Sequence, residues 1–419
     1  MFSHNTFAAQ SFGSDPSSEG GGLNACFAGA YAGKKVWLSG HTGFKGAWLA
    51  EWLLLLGAEV YGYALKPPST PSLFDQLDLG SRLHHHISDI RDRVAVRESI
   101  LSFQPDFVFH LAAQPLVRYS YAEPVETYET NVLGTIHVLE ALRELRNQSS
   151  NARSIAAVMV TTDKCYENRE HGLPYTEEDA LGGFDPYSSS KAMAEIAIAA
   201  YRRSYFSEQS LICLASARAG NVIGGGDWAE DRIIPDALRA LEKGDSIAVR
   251  NPLAIRPWQH VLEPLSGYLW LGARLMKDPT LATAFNFGPT PQENYCVKDV
   301  VSELLQYWPG CWNDISGEHH VHEAQRLNLS INKAASLLHW HPIWNFKKTL
   351  AHTMEWYCSH HQKKSDALAL TREQITSYMT DAREAALVWP NDNYQRTVGS
   401  WEIEDGRWKM ESRPAKAGE

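Results

Sequence analysis

The stretch Lys34 to Leu56, KKVWLSGHTGFKGAWLAEWLLLL, constrains this chain more than any other. A short apolar run, Val36-Trp37-Leu38, leads into Gly40-His41-Thr42-Gly43-Phe44-Lys45-Gly46, and apolar residues then recur at Trp48, Leu49, Trp52, Leu53 and Leu56. That is the pattern of strand, glycine turn and helix. Glycine lets the backbone turn tightly and approach a ligand closely, and a helix N-terminus offers free N–H groups to an anion. The natural occupant is a dinucleotide pyrophosphate, cradled by Gly40, Thr42, Gly43, Phe44, Lys45 and Gly46. A glycine turn can also do no more than close a strand–helix unit, but the flanking strand and helix favour the nucleotide site.

A chain of 419 residues is long enough for two domains and a sizeable core. The net charge is −10 and no Lys/Arg cluster occurs, which argues against a nucleic-acid partner. Cysteines at 26, 165, 213, 296, 311 and 358 include no C-x-x-C pair, as expected for free thiols in a reducing cytoplasm. The first Lys or Arg is Lys34, so a secretory signal with a basic start is not expected. Leu53–Leu56 is too short to span a bilayer.

Residues 1–33 are expected to be an extension, mostly without order, because 1–22 are small and polar; Leu23 to Tyr31 is more apolar. After the first helix, Glu59 to Tyr63 reads as a second strand. It leads to Ala64-Leu65-Lys66, where an acidic residue would hold the ribose of NAD. Lys66 suits NADP or a solvated loop equally well. His84-His85-His86 alternates across a strand and so does not converge on one metal ion. A helix follows over Val94 to Phe103, then a buried strand, Asp106 to His110. It ends in Leu111-Ala112-Ala113-Gln114, small enough for a cofactor to lie close. Asn131 opens a helix to about Leu145, and Ile155 to Val160 is a strand ending in Thr161-Thr162-Asp163-Lys164.

This alternation predicts an α/β fold, a Rossmann-type doubly wound parallel sheet with a smaller substrate-binding domain. Residues 34–223 and 258–290 are assigned to the dinucleotide domain, 224–257 and 291–382 to the substrate domain, and 383–419 to a tail.

Tyr187 and Lys191 are four apart and share a helix face. A phenol with a pKa of about 10 is a poor base unless assisted. A neighbouring ammonium, together with a cationic nicotinamide ring, stabilises the phenolate, which can then accept a sugar hydroxyl proton. Thr162, Asp163 and Lys164 set a hydroxyl, a carboxyl and an ammonium side by side at a strand's C-terminal end, though such a trio can also be an ordinary solvated turn.

The segments GHTGFKG, LAAQPLVRYSY, TTDKCYEN, DPYSSSK, GNVIGGGDW and IRPWQHV, in this order over residues 27–382, resemble the CDP-glucose 4,6-dehydratases of the extended short-chain dehydrogenase/reductase family. TTDKCYEN discriminates best, because sister dehydratases for dTDP-glucose or GDP-mannose carry Asp-Glu at 163–164 and epimerases lack the pair. The resemblance implies that NAD takes hydride from C4 of CDP-glucose with Tyr187 as base, Lys191 as its partner and Thr162 holding the hydroxyl. Water then leaves across C5–C6, with Lys164 as base and Asp163 as acid, and hydride returns to C6, a step in deoxysugar biosynthesis. It also implies Asp89, Ile90, Leu111, Ala112, Ala113 and Asn131 around the cofactor. Gln114, Arg118, Asn221, Asp227, Trp228, Arg232, Arg256 and His260 fall to the nucleotide sugar, with no metal. A homodimer or homotetramer built on the helices starting near Asn131 and Tyr187 is expected, in the cytoplasm. The other readings are an epimerase, a dehydratase for another nucleotide sugar, or a non-catalytic NAD(P)-sensing regulator; the regulator would be expected to lack the Tyr/Lys pair.

Overall fold

The computed structural model describes residues 23–148, 153–170, 172–206, 211–290, 295–317, 327–390, 401–404 and 407–410. The expectations for 1–22 and for the polar stretch directly after 390 lie outside the described residues.

Seven strands form the central sheet: β1 (Lys35–Ser39), β2 (Glu59–Ala64), β3 (His84–Ile87), β4 (Phe107–His110), β5 (Ile155–Val160), β6 (Ile212–Ala219) and β7 (Ala284–Phe287). All neighbours are parallel, in the order β7-β6-β5-β4-β1-β2-β3. β4, β5 and β6 are buried along their whole length, as apolar strands covered on both faces must be. Successive residues serve opposite layers: Val36 and Leu38 join one core, Trp37 and Val108 the other. The chain leaves β1 and β4 in opposite directions, so a crevice opens beyond their C-terminal ends. There Ser39 Oγ lies 2.7 Å from His110 Nδ1 and accepts from the Leu111 and Ala112 amides at 3.1 Å each.

The helix after the glycine turn, Phe44–Leu55, is buried on nearly every side. Its one carboxylate, Glu51, is fully covered. Arg82 donates to it at 2.6 and 3.0 Å, and Arg372 at 2.7 Å. An unpaired charge there would cost several kcal/mol, roughly 3–5. Arg372 lies on the helix Ala367–Glu384, which therefore packs across the dinucleotide layer, although its sequence position groups it with the substrate segments. The first and last described parts of the body also meet. Phe27 stacks on Trp389 with ring centroids 4.9 Å apart, its amide donates to the Trp389 carbonyl at 2.7 Å, and the Tyr31 hydroxyl donates to the Leu269 carbonyl at 2.6 Å. Cys26, Phe27 and Tyr31 thus join the core with Leu387, Val388 and Trp389, rather than lying in an extension and a tail, and the Phe27 and Trp389 rings close over Trp52.

Beyond Asn221 the alternation breaks into short pairs: Val222–Ile223 with Gln259–His260, Ile255–Arg256 with Tyr295–Cys296, and Ile247–Val249 with Trp312–Asp314. Helices Ile233–Lys243, Val297–Tyr307 and Phe346–His361 accompany them. Strands Trp401–Glu404 and Arg407–Met410 pair antiparallel. Among the described residues no helix is long and apolar enough to cross a membrane.

Candidate active site

A cleft of about 920 Å³ opens over the C-terminal edge of the sheet. The glycine turn, the loops after β2, β4 and β5, the start of the helix Pro186–Ser204 and two segments, 219–236 and 248–256, line it. Its walls carry nine basic and five acidic residues, the reverse of the net balance of the chain. A cleft so lined concentrates anions.

The glycines of the turn serve different ends. Gly40 has φ +77°, and a side chain there would press on the Ala112 amide at 2.8 Å; one at Gly46 would overlap the Gly40 carbonyl. Both are required by the packing of the turn itself. A Cβ at Gly43 meets only the Gly40 carbonyl, at an ordinary 3.4 Å, so a longer side chain would run into the cleft. Gly43 is also the N-cap of the helix, and no side chain caps that end. An open helix N-terminus beneath a bare backbone fits a dinucleotide pyrophosphate. Thr42 donates to the Leu65 carbonyl at 2.9 Å and ties the turn to the end of β2. Phe44, Lys66, Asp89, Ile90, Leu111, Ala112 and Ala113 line the same half. The Asp89 carboxyl is engaged by Arg91 at 2.6 Å, which holds it below its ordinary range.

Asn131 and Gln114 do not face the cleft. Asn131 sits in a π-helical turn, Glu129–Leu133; it accepts from the Gln114 amide at 2.9 Å and donates to Ser190 Oγ at 2.9 Å. The Gln114 side chain donates to Thr127 at 2.8 Å and accepts from the Leu116 amide at 2.5 Å. Both amides are spent on shaping the loop after β4, which corrects their placement as ligand contacts.

Asp185 caps the helix Pro186–Ser204 through the Ser188 amide, with Pro186 in the first turn, and this sets Tyr187 and Lys191 at the cleft floor. Burial pushes the Tyr187 phenol up to about 12, opposed by the neighbouring Thr162 hydroxyl and the charge of Arg232. Burial pushes Lys191 down to about 8, opposed by Glu195. Thr162 and Arg232 ease the phenol toward its anion, and the Lys191 charge also bears on Lys45 and His110. Lys45 is partly buried, 3.5 Å from the Tyr268 hydroxyl, and is lowered to about 7 by desolvation and by Arg232 and Lys191.

Thr162 caps the short turn Asp163–Cys165 and donates to Asp163 Oδ1 at 2.9 Å. The Asp163 carboxyl is buried, which raises its pKa against the pull of Lys164 and Arg256 and favours the neutral acid. Lys164 Nζ stands 6.0 Å from the centre of the Tyr187 ring. Thr162, Lys164 and Tyr187 thus line one floor, and the Asp163 carboxyl is buried beside it, held by Thr162.

Asn221, Asp227, Trp228, Arg232, Arg256 and Arg118 also line the cleft. Asp227 is buried, which raises its carboxyl, and the Trp228 indole donates to Gln76 at 3.1 Å. Across the mouth, Asp231 joins Arg118 at 3.2 Å and Arg250 at 2.6 Å. His260 is not in the cleft. It is fully buried, its ring edge-on to Trp48 and Trp344, and burial drives it toward the neutral imidazole. Proximity to Arg256 in sequence says nothing about which side a residue faces. Tyr268, Asp231, Arg250, Glu195 and Arg218 carry no motif signal, although Glu195 follows Lys191 by four and Arg218 is the one charge in β6. Among the described residues no group of three or more His, Cys, Asp or Glu could hold a metal ion.

The family model described as GDP-mannose 4,6 dehydratase matches residues 38–284. The CDP-glucose 4,6-dehydratase of Salmonella typhimurium is 46% identical over 357 residues, 84% of this chain and 97% of that protein. Among solved structures, dTDP-glucose 4,6-dehydratase from Streptomyces venezuelae, with NAD and TYD bound, superposes with TM-score 0.65 at 21% identity, covering 78% of this chain and 98% of that one. An epimerase from Methanothermobacter thermautotrophicus gives TM-score 0.67 at 22% identity, covering 81% and 96%. These two likenesses show the fold.

Proposed function

The chain belongs to the GDP-mannose 4,6-dehydratase family of extended short-chain dehydrogenases/reductases, and from that membership we propose that it converts CDP-D-glucose to CDP-4-keto-6-deoxy-D-glucose. The observation that carries the reading is the meeting of Thr162 and Lys164 with Tyr187 on one cleft floor, with the buried Asp163 hydrogen-bonded to Thr162, in a chain 46% identical to a CDP-glucose 4,6-dehydratase.

Bound NAD would supply the hydride acceptor for C4 and the hydride donor for C6. Gly43 and the uncapped helix end would hold its pyrophosphate, so Gly43→Val should lose NAD binding by calorimetry while the fold stays intact. Tyr187 takes the proton of the C4 hydroxyl, and Thr162 orients that oxygen. Once C4 is a ketone the C5 proton is acidic. Lys164 removes it, and Asp163, kept toward its neutral form by burial, protonates the hydroxyl leaving C6. Arg256, Arg232 and Asn221 face the sugar diphosphate, a match for planar guanidinium forks. The apolar Leu133, Met193 and Ile196, each roughly half exposed on the helices named for association, support a homodimer or homotetramer. Six free cysteines support a cytoplasmic setting.

The test is incubation with CDP-, dTDP-, UDP- and GDP-sugars, reading loss of water from the sugar by mass. Keto product from CDP-glucose above the others is expected; product from a different nucleotide sugar alone would overturn the substrate.

A further inference from the structure

Behind the cleft floor lies an ion pair that the proposed chemistry does not touch. Glu195 and Arg218 are 2% and 4% exposed, and Arg218 Nη2 donates to Glu195 Oε2 at 2.8 Å. A pair so deep adds little stability over well-packed apolar side chains, so stability is a poor account of it.

Its other contacts point to a different account. Glu195 Oε1 accepts from the Thr161 hydroxyl at 2.5 Å, and Arg218 Nη1 donates to the Tyr166 hydroxyl at 2.8 Å. Thr161 and Tyr166 bracket Thr162-Asp163-Lys164. The segment carrying the acid and the base is therefore tied at both ends to the two halves of one ion pair. The Tyr166 hydroxyl in turn donates to Asn286 Oδ1 at 2.7 Å, which fixes the ring from the far side. Glu195 also stands one helical turn beyond Lys191 and two beyond Tyr187.

We propose that Glu195 and Arg218 are positioning residues that hold the elimination loop in register with the Tyr187/Lys191 helix. The proposal rests on the dehydratase reading for its kinetic consequence. The carboxylate has a second effect: it opposes the burial that discharges Lys191.

Thr161→Val and Tyr166→Phe each cut one tie while leaving the buried charges paired. Each should lower kcat by roughly ten- to a hundredfold, as small misplacements of catalytic groups do. KM for CDP-glucose and the melting temperature should stay close to wild type. In ligand-free protein the amides of 162–165 should exchange hydrogen faster in both variants, a readout that needs no substrate. Glu195→Gln should move the alkaline limb of kcat/KM to lower pH, and Glu195→Asp should restore it in part. Unchanged exchange at 162–165 in both hydroxyl variants overturns the positioning role, as does a wild-type kcat in both. If wild-type protein makes no keto product from CDP-glucose, the activity reading fails, and faster exchange alone still upholds the tether.

Discussion

At and beside the floor of the cleft, Asp163 and Lys191 are buried and Lys45 is partly buried, and each is driven toward its neutral form. At the mouth, Asp231, Arg118 and Arg250 are a third to nearly a half exposed and form ion pairs, with Asp231 held below its ordinary range by Arg250. Desolvation sets the first region, and solvent-screened pairing sets the second. The difference fits the proposed division, with proton transfer at the floor and a diphosphate at the mouth in exchange for weak ion pairs.

The comparison breaks most sharply at Tyr187. Tyr187→Phe should lower kcat by roughly a hundredfold to ten-thousandfold, the range for losing a general base, with CDP-glucose affinity by calorimetry unchanged. Near-normal turnover would put the proton acceptor elsewhere. Lys164→Met divides the floor into two steps. NADH absorbance should build up on mixing with CDP-glucose while little solvent hydrogen enters C5. Product at the wild-type rate would remove Lys164 as the base, and absence of NADH would move it to the first step.

A milder effect comes from pH. Lys191 has its pKa lowered, so its cation is present below about 8 and is lost as pH rises through that value. The neutral acid form of Asp163 is lost in the same direction. The pH profile of kcat/KM, which reports the free enzyme, should therefore fall on the alkaline side near 8 rather than near the ordinary lysine value of about 10.4. The smallest effect belongs to the mouth. Asp231→Asn frees Arg118 and Arg250, and KM should fall by about two- to fivefold at low salt with kcat unchanged, the scale of an exposed pair. A rise in KM would mean that Asp231 aligns the arginines instead of competing for them.

What was legible in sequence was what is contiguous there. The glycine turn, Thr162-Asp163-Lys164 and the Tyr187/Lys191 spacing each lie within one short segment, and the parallel sheet follows from the strand–helix alternation. Which way a side chain faces was not legible. His260 and Gln114 sit inside diagnostic segments, yet one is walled in by tryptophans and the other is consumed by backbone partners. Pairs made by distant segments were hidden as well. Glu51 and Arg372 are 321 residues apart, and Phe27 finds Trp389 only in the folded chain.

That last pairing has a consequence for the order in which the protein is made. The helix bearing the glycine turn emerges from the ribosome among the first ordered segments, since domains generally begin folding from the N-terminal side during synthesis. Its buried carboxylate gains Arg372, and Trp52 gains Tyr378 and Trp389, only when nearly the whole body has been translated. The cradle for the cofactor is thus begun early and finished late, and a nascent chain halted before residue 367 carries Glu51 with a single arginine and Trp52 with an open face.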